Sequence, residues 1–97
     1  MRVVLSQAAI ADLRDIGHWI ALDHPERAVT FVQELARKCA ELGEAPLPYP
    51  LAPEAGEGVR KRRHGRYLIL YHVGAEAVEV LHVVHGMRAY RNLFLKM

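Results

Sequence analysis

A two-layer α+β domain of order β-α-α-β-β-β is the fold class this 97-residue sequence predicts, with an antiparallel helical hairpin packed on a small, mostly antiparallel sheet. Three observations predict it. Before residue 42 the apolar residues recur at three- and four-residue steps, the period of helices with one buried face. Between residues 43 and 58 lie four of the five prolines, with Gly43, Gly56 and Gly58. After residue 58, β-branched and aromatic residues run in three short segments separated by turn residues, the pattern of a meander. A helix pair of this kind buries its apolar stripe on one sheet face, which gives the two layers.

Met1–Leu5 is a short β-branched strand, and Ser6 stands where a helix N-cap is needed. From Gln7 to Leu22, Ile10, Leu13, Ile16 and Ile20 mark one helical face, with Asp12, Arg14 and Asp15 on the other. Gly17 costs this helix about 1 kcal/mol relative to Ala, which points to close packing against the second helix. Asp23-His24-Pro25-Glu26 ends the first helix and begins another. Asp23 is positioned to cap, Pro25 suits a first turn, and Glu26 completes a capping box. The second helix runs from about Pro25 to Leu42, with Ala28, Phe31, Val32, Leu35, Cys39 and Leu42 on one face. So short a connection makes the two helices antiparallel. Residues 43–58 form a long loop, expected to be functional or mobile. Val59–Arg63, Tyr67–Val73 and Ala77–His85 follow as strands, with turns at His64-Gly65 and Gly74-Ala75. On the middle strand Tyr67, Ile69, Tyr71 and Val73 share one side, and Leu68 and Leu70 the other. One helix pair covers one face only, so the second face is expected to be open, partly apolar and partly basic, and suited to a partner.

The length fits a single domain, residues 1–97, and 52% hydrophobic residues place it among ordinary globular proteins. No apolar run approaches the length of a membrane span, and no signal-peptide pattern follows Met1, so a cytoplasmic chain is expected. Cys39 is the single cysteine; on an apolar helix face it reads as a buried, inert thiol. Trp19 and Tyr49 read as packing residues. The six histidines show no metal-ligand spacing. His82 and His85 lie three apart on one strand and point to opposite faces, so no metal is expected. No Gly-rich phosphate loop is present, and no cofactor is expected.

The net charge of +2 hides a division: residues 1–58 hold five basic and nine acidic side chains, and residues 59–97 eight basic and two acidic. Arg60, Lys61, Arg62, Arg63 and Arg66 cluster on the first meander strand and its turn, where they would form a fixed cationic array. Such arrays meet phosphates or acidic proteins, and charged rows on edge strands also discourage unwanted sheet pairing.

The segments ADLRDIGHWI, HPERAVTFVQEL, VRKRRHGRYLILYHV and EVLHVVHGMR, in this order, resemble the ParE/RelE superfamily of bacterial type II toxins, and the ParE branch in particular. The strand closing in Val-His-Gly-x-Arg carries most weight. The resemblance implies a toxin held inactive by a co-expressed antitoxin, with DNA gyrase as the target of ParE-type members and ribosome-dependent mRNA cleavage as the activity of RelE-type members. RelE-like toxins resemble one another in placing an Arg just after the hairpin Tyr and an aromatic hydroxyl in the C-terminal tail. Here Leu68 follows Tyr67, and Phe94 stands near the tail position; Arg88 matches, with Tyr90 close by. The ParE reading needs no catalytic set. It makes Arg60, Lys61, Arg62, Arg63, Arg66 and Arg88 contacts to target or antitoxin, the latter through an acidic amphipathic segment laid across the helical hairpin and the open sheet face. The ribonuclease alternative uses His85, Arg88 and Tyr90. A non-toxic nucleic-acid-binding accessory protein is a third reading, supported by the basic half.

Overall fold

The computed structural model describes residues 1–86; Arg88, Tyr90 and Phe94 lie outside the described residues. The elements are β1 (Arg2–Leu5), α1 (Gln7–Ala21), α2 (Pro25–Glu41), β2 (Val59–His64), β3 (Tyr67–Val73) and β4 (Ala77–His85). The strands form one mixed sheet of order β1-β4-β3-β2. The β2-β3-β4 meander is antiparallel, and β1 joins it parallel to β4.

Ser6 caps α1, its hydroxyl accepting from the Ala9 N–H at 3.0 Å while donating to the Leu81 carbonyl at 2.8 Å. One side chain thereby starts the helix and ties it to β4. The expected capping box at Asp23 does not form: His24 is the N-cap of α2 and makes no side-chain cap bond. The connection is so short that the Asp23 and His24 N–H groups both donate back to Ile20, closing α1. Pro25, which lacks an N–H, then opens α2. Gly17 has the role its sequence position implied, since a Cβ there would lie 3.2 Å from Val32 Cγ2 on α2.

The helices and one sheet face enclose the main core of Ile16, Leu35, Cys39, Leu42, Ile69, Tyr71, Val78, Val80 and Val83. A bulge shifts the β3–β4 register between Leu70 and Tyr71. Beyond the end of β1, Asp12 of α1 takes over β4's outer edge: its Oδ2 accepts from the Val83 N–H at 2.9 Å and lies 3.0 Å from His82 Nδ1.

The second sheet face is not simply open. Val59, Leu68, Leu70 and Val84 form a smaller core there with Ala52 from the proline-rich segment, and Ala55 packs against it. That segment is neither a free loop nor a strand of the meander. It is a strap along β2's outer edge, where the Lys61 N–H donates to the Pro50 carbonyl at 3.0 Å and the Ala52 N–H to the Val59 carbonyl at 2.7 Å. Four of its residues, Pro46, Pro48, Pro50 and Pro53, carry no N–H. A strap so built covers the edge without offering a new donor row for another strand.

Candidate functional site

Strand alternation divides the basic stretch. Val59, Lys61 and Arg63 point away from the helices, while Arg60, Arg62 and His64 point toward them. The expectation of one presented cationic array is therefore corrected: two of its members hold the fold together. Arg60 Nη1 donates to the carbonyls of Leu47 at 3.1 Å and Tyr49 at 2.6 Å, pinning the strap. Arg62 lies under α2, donates to the Lys38 carbonyl at 2.9 Å, and pairs with Glu41 at 2.9 Å. Its guanidinium sits 4.9 Å from the centre of the Tyr49 ring, and its side chain is only 11% exposed. Tyr49 in turn meets Tyr71 edge-on, and the Tyr71 hydroxyl donates to the Pro46 carbonyl. Burial pushes Tyr71 up to about 12, so it acts here as a hydrogen-bond donor.

The outward members form a different surface. Lys61 and Arg63 line a small cleft of about 200 Å³ with Tyr49, Pro50 and Leu68. Arg63 faces Leu68 across the β2–β3 ladder. Among the described residues no histidine or carboxylate lines this cleft. Arg66 is exposed in the hairpin turn, where Gly65 adopts φ +59. That conformation suits glycine at the first position of a two-residue hairpin loop.

His85 closes β4 opposite Tyr67 and packs edge-on against its ring, with centroids 5.0 Å apart. Tyr67 belongs to the helix-side core, so His85 shares that side and not the side of Lys61 and Arg63. The hairpin end is latched to α2. Glu34 accepts from Arg27 at 2.6 Å and lies 2.9 Å from His64 Nε2, and Phe31 packs between His64 and Tyr67. The bonds from Arg27 and His64 hold the Glu34 carboxyl down at about 2. Among the described residues no three His, Cys, Asp or Glu side chains gather to hold a metal ion, and no helix is long and apolar enough to cross a membrane.

Sequence reasoning laid the antitoxin's amphipathic segment across the helical hairpin but did not foresee the shape of the surface there. The outer side of the helical hairpin carries an apolar groove of about 460 Å³ along α1 and α2, floored by Gly17, Ala21, Ala28 and Val32 and flanked by Val29, Arg14 and His18. The signal was present in the small residues on both facing helix sides (Gly17, Ala21 and Ala28), which leave a trough between the helices. Trp19, expected in packing, is 70% exposed, with Leu22 and Val29 also exposed. Helical phase turns it away from the core side defined by Leu13, Ile16 and Ile20.

Comparison with known proteins fits this architecture. The family model described as ParE toxin of type II toxin-antitoxin system, parDE, matches residues 3–90. The fold is similar to a chain of the chromosomal ParDE TA system from P. aeruginosa, with a TM-score of 0.75 and 22% identity over 89% of this chain and 96% of that one. It is also similar to a chain of the toxin-antitoxin complex RelBE2 from Mycobacterium tuberculosis, with a TM-score of 0.63 and 26% identity over 87% and 95%. No curated protein matches the sequence. Helical hairpin, mixed sheet and a family match over nearly the whole chain lead to one conclusion: the protein belongs to the ParE toxin family of type II toxin-antitoxin systems.

Proposed function

We propose that the protein arrests growth by binding a macromolecular target in the cytoplasm, DNA gyrase, rather than by cutting a bond itself, and that an antitoxin holds it inactive. The observation that carries the first half is the lining of the cationic cleft. RNA cleavage needs a base and a proton donor beside the cations that hold the phosphate. Lys61 and Arg63 instead line the cleft with Leu68, Pro50 and Tyr49, and no histidine or carboxylate is among the described lining residues, while His85 packs on the other side of the sheet against Tyr67. This is chemistry for holding a partner.

The hairpin groove supports the second half. Its floor is apolar, its flanks carry Arg14 and His18, and among the described residues no carboxylate lines it. An amphipathic helix with apolar residues at helical spacing and acidic residues on its rim fits such a trough. The similar ParDE and RelBE2 chains come from toxin–antitoxin pairs. The experiment is to induce the chain alone and with its neighbouring antitoxin gene while following DNA supercoiling and mRNA integrity together. Loss of gyrase supercoiling with intact mRNA, relieved by the antitoxin, is expected. Site-specific cleavage of translated mRNA, abolished by His85→Ala or Tyr90→Phe, would establish the ribonuclease reading in its place.

A further inference from the structure

The proline strap covers β2's outer edge incompletely, and the place where it stops carries an inference about the partner. Val59, Lys61 and Arg63 turn their backbone groups to that edge, because the Val59 carbonyl and the Lys61 N–H are the groups bonded by the strap and strand geometry repeats every second residue. The last of these bonds is Lys61 to Pro50. At Arg63 the strap has left the edge, and among the described residues nothing pairs with the Arg63 backbone N–H or carbonyl. The small cleft lies at this point, with Tyr49 and Pro50 as one wall, Leu68 as another, and the Lys61 and Arg63 side chains at its rim. Arg63 is exposed and makes no ion pair among the described residues. The site thus combines a backbone donor and acceptor, an apolar wall and a positive rim.

We propose that this cleft docks a short extended segment of the antitoxin, which continues the strap by pairing with the Arg63 backbone and sets an acidic side chain against the Arg63 guanidinium. The inference rests on the toxin reading above and adds a second, separate contact to the helical groove. A strand laid along the edge at Arg63 brings its cross-strand residue to within about 5 Å, Cβ to Cβ, a distance at which a carboxylate pairs with arginine. An apolar residue of the same segment would lie on Pro50 and Leu68. The peptide chemistry is favoured over a nucleic-acid strand because Arg60 and Arg62, the neighbours that would extend a phosphate track, are turned under the helices and already bonded. The open groups at Arg63 are also those that complement a peptide backbone. Pairing of this sort is β-augmentation, in which backbone bonds supply affinity and the side-chain pockets supply selectivity.

The test uses the full chain and the antitoxin encoded beside it, with three variants: Arg63→Glu, Arg63→Pro and Arg2→Glu. Arg63→Glu reverses the rim charge. Arg63→Pro removes the edge N–H at an edge position, where proline is tolerated. Arg2→Glu is a charge control, exposed on β1 at the opposite edge of the sheet. Binding is read by calorimetry, and backbone protection of residues 61–64 by hydrogen exchange, free and in complex. Both Arg63 variants are expected to keep the wild-type circular dichroism spectrum and lose affinity about tenfold or more, the range for a desolvated charge pair at an interface. Arg2→Glu stays within about threefold of wild type, in keeping with a charge outside the contact. The complex slows exchange at Arg63. Wild-type affinity in both Arg63 variants, with unchanged exchange at 61–64, would overturn the proposal while leaving the antitoxin pairing intact. Binding of a mixed-sequence RNA oligonucleotide that Arg63→Glu abolishes, with antitoxin affinity untouched, would overturn it in favour of a nucleic-acid site. Absence of any complex with wild-type chain points instead to failure of the toxin reading itself.

Discussion

Arg62 and Arg63 are adjacent, identical in chemistry and opposite in expected consequence. Arg62→Ala removes a charged donor to the Lys38 carbonyl at the C-terminal end of α2, a 2.9 Å pair with Glu41 and a guanidinium stacked 4.9 Å from the Tyr49 ring. A hydrogen bond from a charged group contributes about 1.5 kcal/mol, the half-exposed ion pair about 0.5, and the cation–π contact about 0.5–1. All three depend on one guanidinium and are not independent, so the expected loss is about 2–3 kcal/mol. For a domain of this size that corresponds to a fall of about 10–20 °C in melting temperature. Arg63→Ala, outward-facing and without such bonds among the described residues, is expected to change stability by no more than about 0.5 kcal/mol. Urea titration followed by circular dichroism measures both, and Arg62→Lys should fall between them because it keeps charge but not the planar fork. Antitoxin affinity, measured on the folded fraction, should show the reverse order. Equal stability losses for the two alanine variants would refute the assignment of alternate arginines to fold and surface.

Other outcomes follow from the same contacts. The folded Glu34 carboxyl titrates near 2 against an ordinary 4.5, so the unfolded chain binds the extra proton between these values. The Glu34 contribution is then complete above about pH 4.5 and is lost as pH falls toward 2; Glu34→Gln should flatten the melting temperature across that window, and an unchanged slope would contradict the Arg27–Glu34–His64 latch. Burial pushes the Cys39 thiol up to about 11, leaving about one thiolate in a thousand at pH 8, so an aromatic disulfide reagent should label it only as the protein unfolds. Rapid stoichiometric labelling of native protein would show the core to be open there. Val29→Glu, at the exposed rim of the hairpin groove, should leave the melting temperature within a few degrees and weaken antitoxin binding by about tenfold or more; unchanged affinity would remove the groove from the interface.

Local patterns carried the element list. Periods of 3.6 and 2 in Leu13–Ile16–Ile20 and in Tyr67–Ile69–Tyr71 are set by backbone geometry, so helices, strands and the division of β3 into two faces were legible from residues alone, though not which face the helices cover. Ser6 as a cap, Gly17 as a close contact and Cys39 as a buried thiol were legible for the same reason: each follows from its own neighbours along the chain. The family likewise came from ordered local segments. What the sequence could not show was anything decided by a neighbour distant in the chain. The parallel place of β1 beside β4, and the folding of the proline segment onto β2 and the second sheet face, depend on which apolar surfaces meet. Asp23 read as a cap until the short connection gave its N–H to Ile20. Above all, five clustered cations looked like one surface, because charge is additive along a sequence while a strand turns successive side chains to opposite faces. Only the packed sheet, with α2 above one side and the strap along its edge, separates Arg60 and Arg62, which bond the fold together, from Lys61 and Arg63, which line the outward cleft.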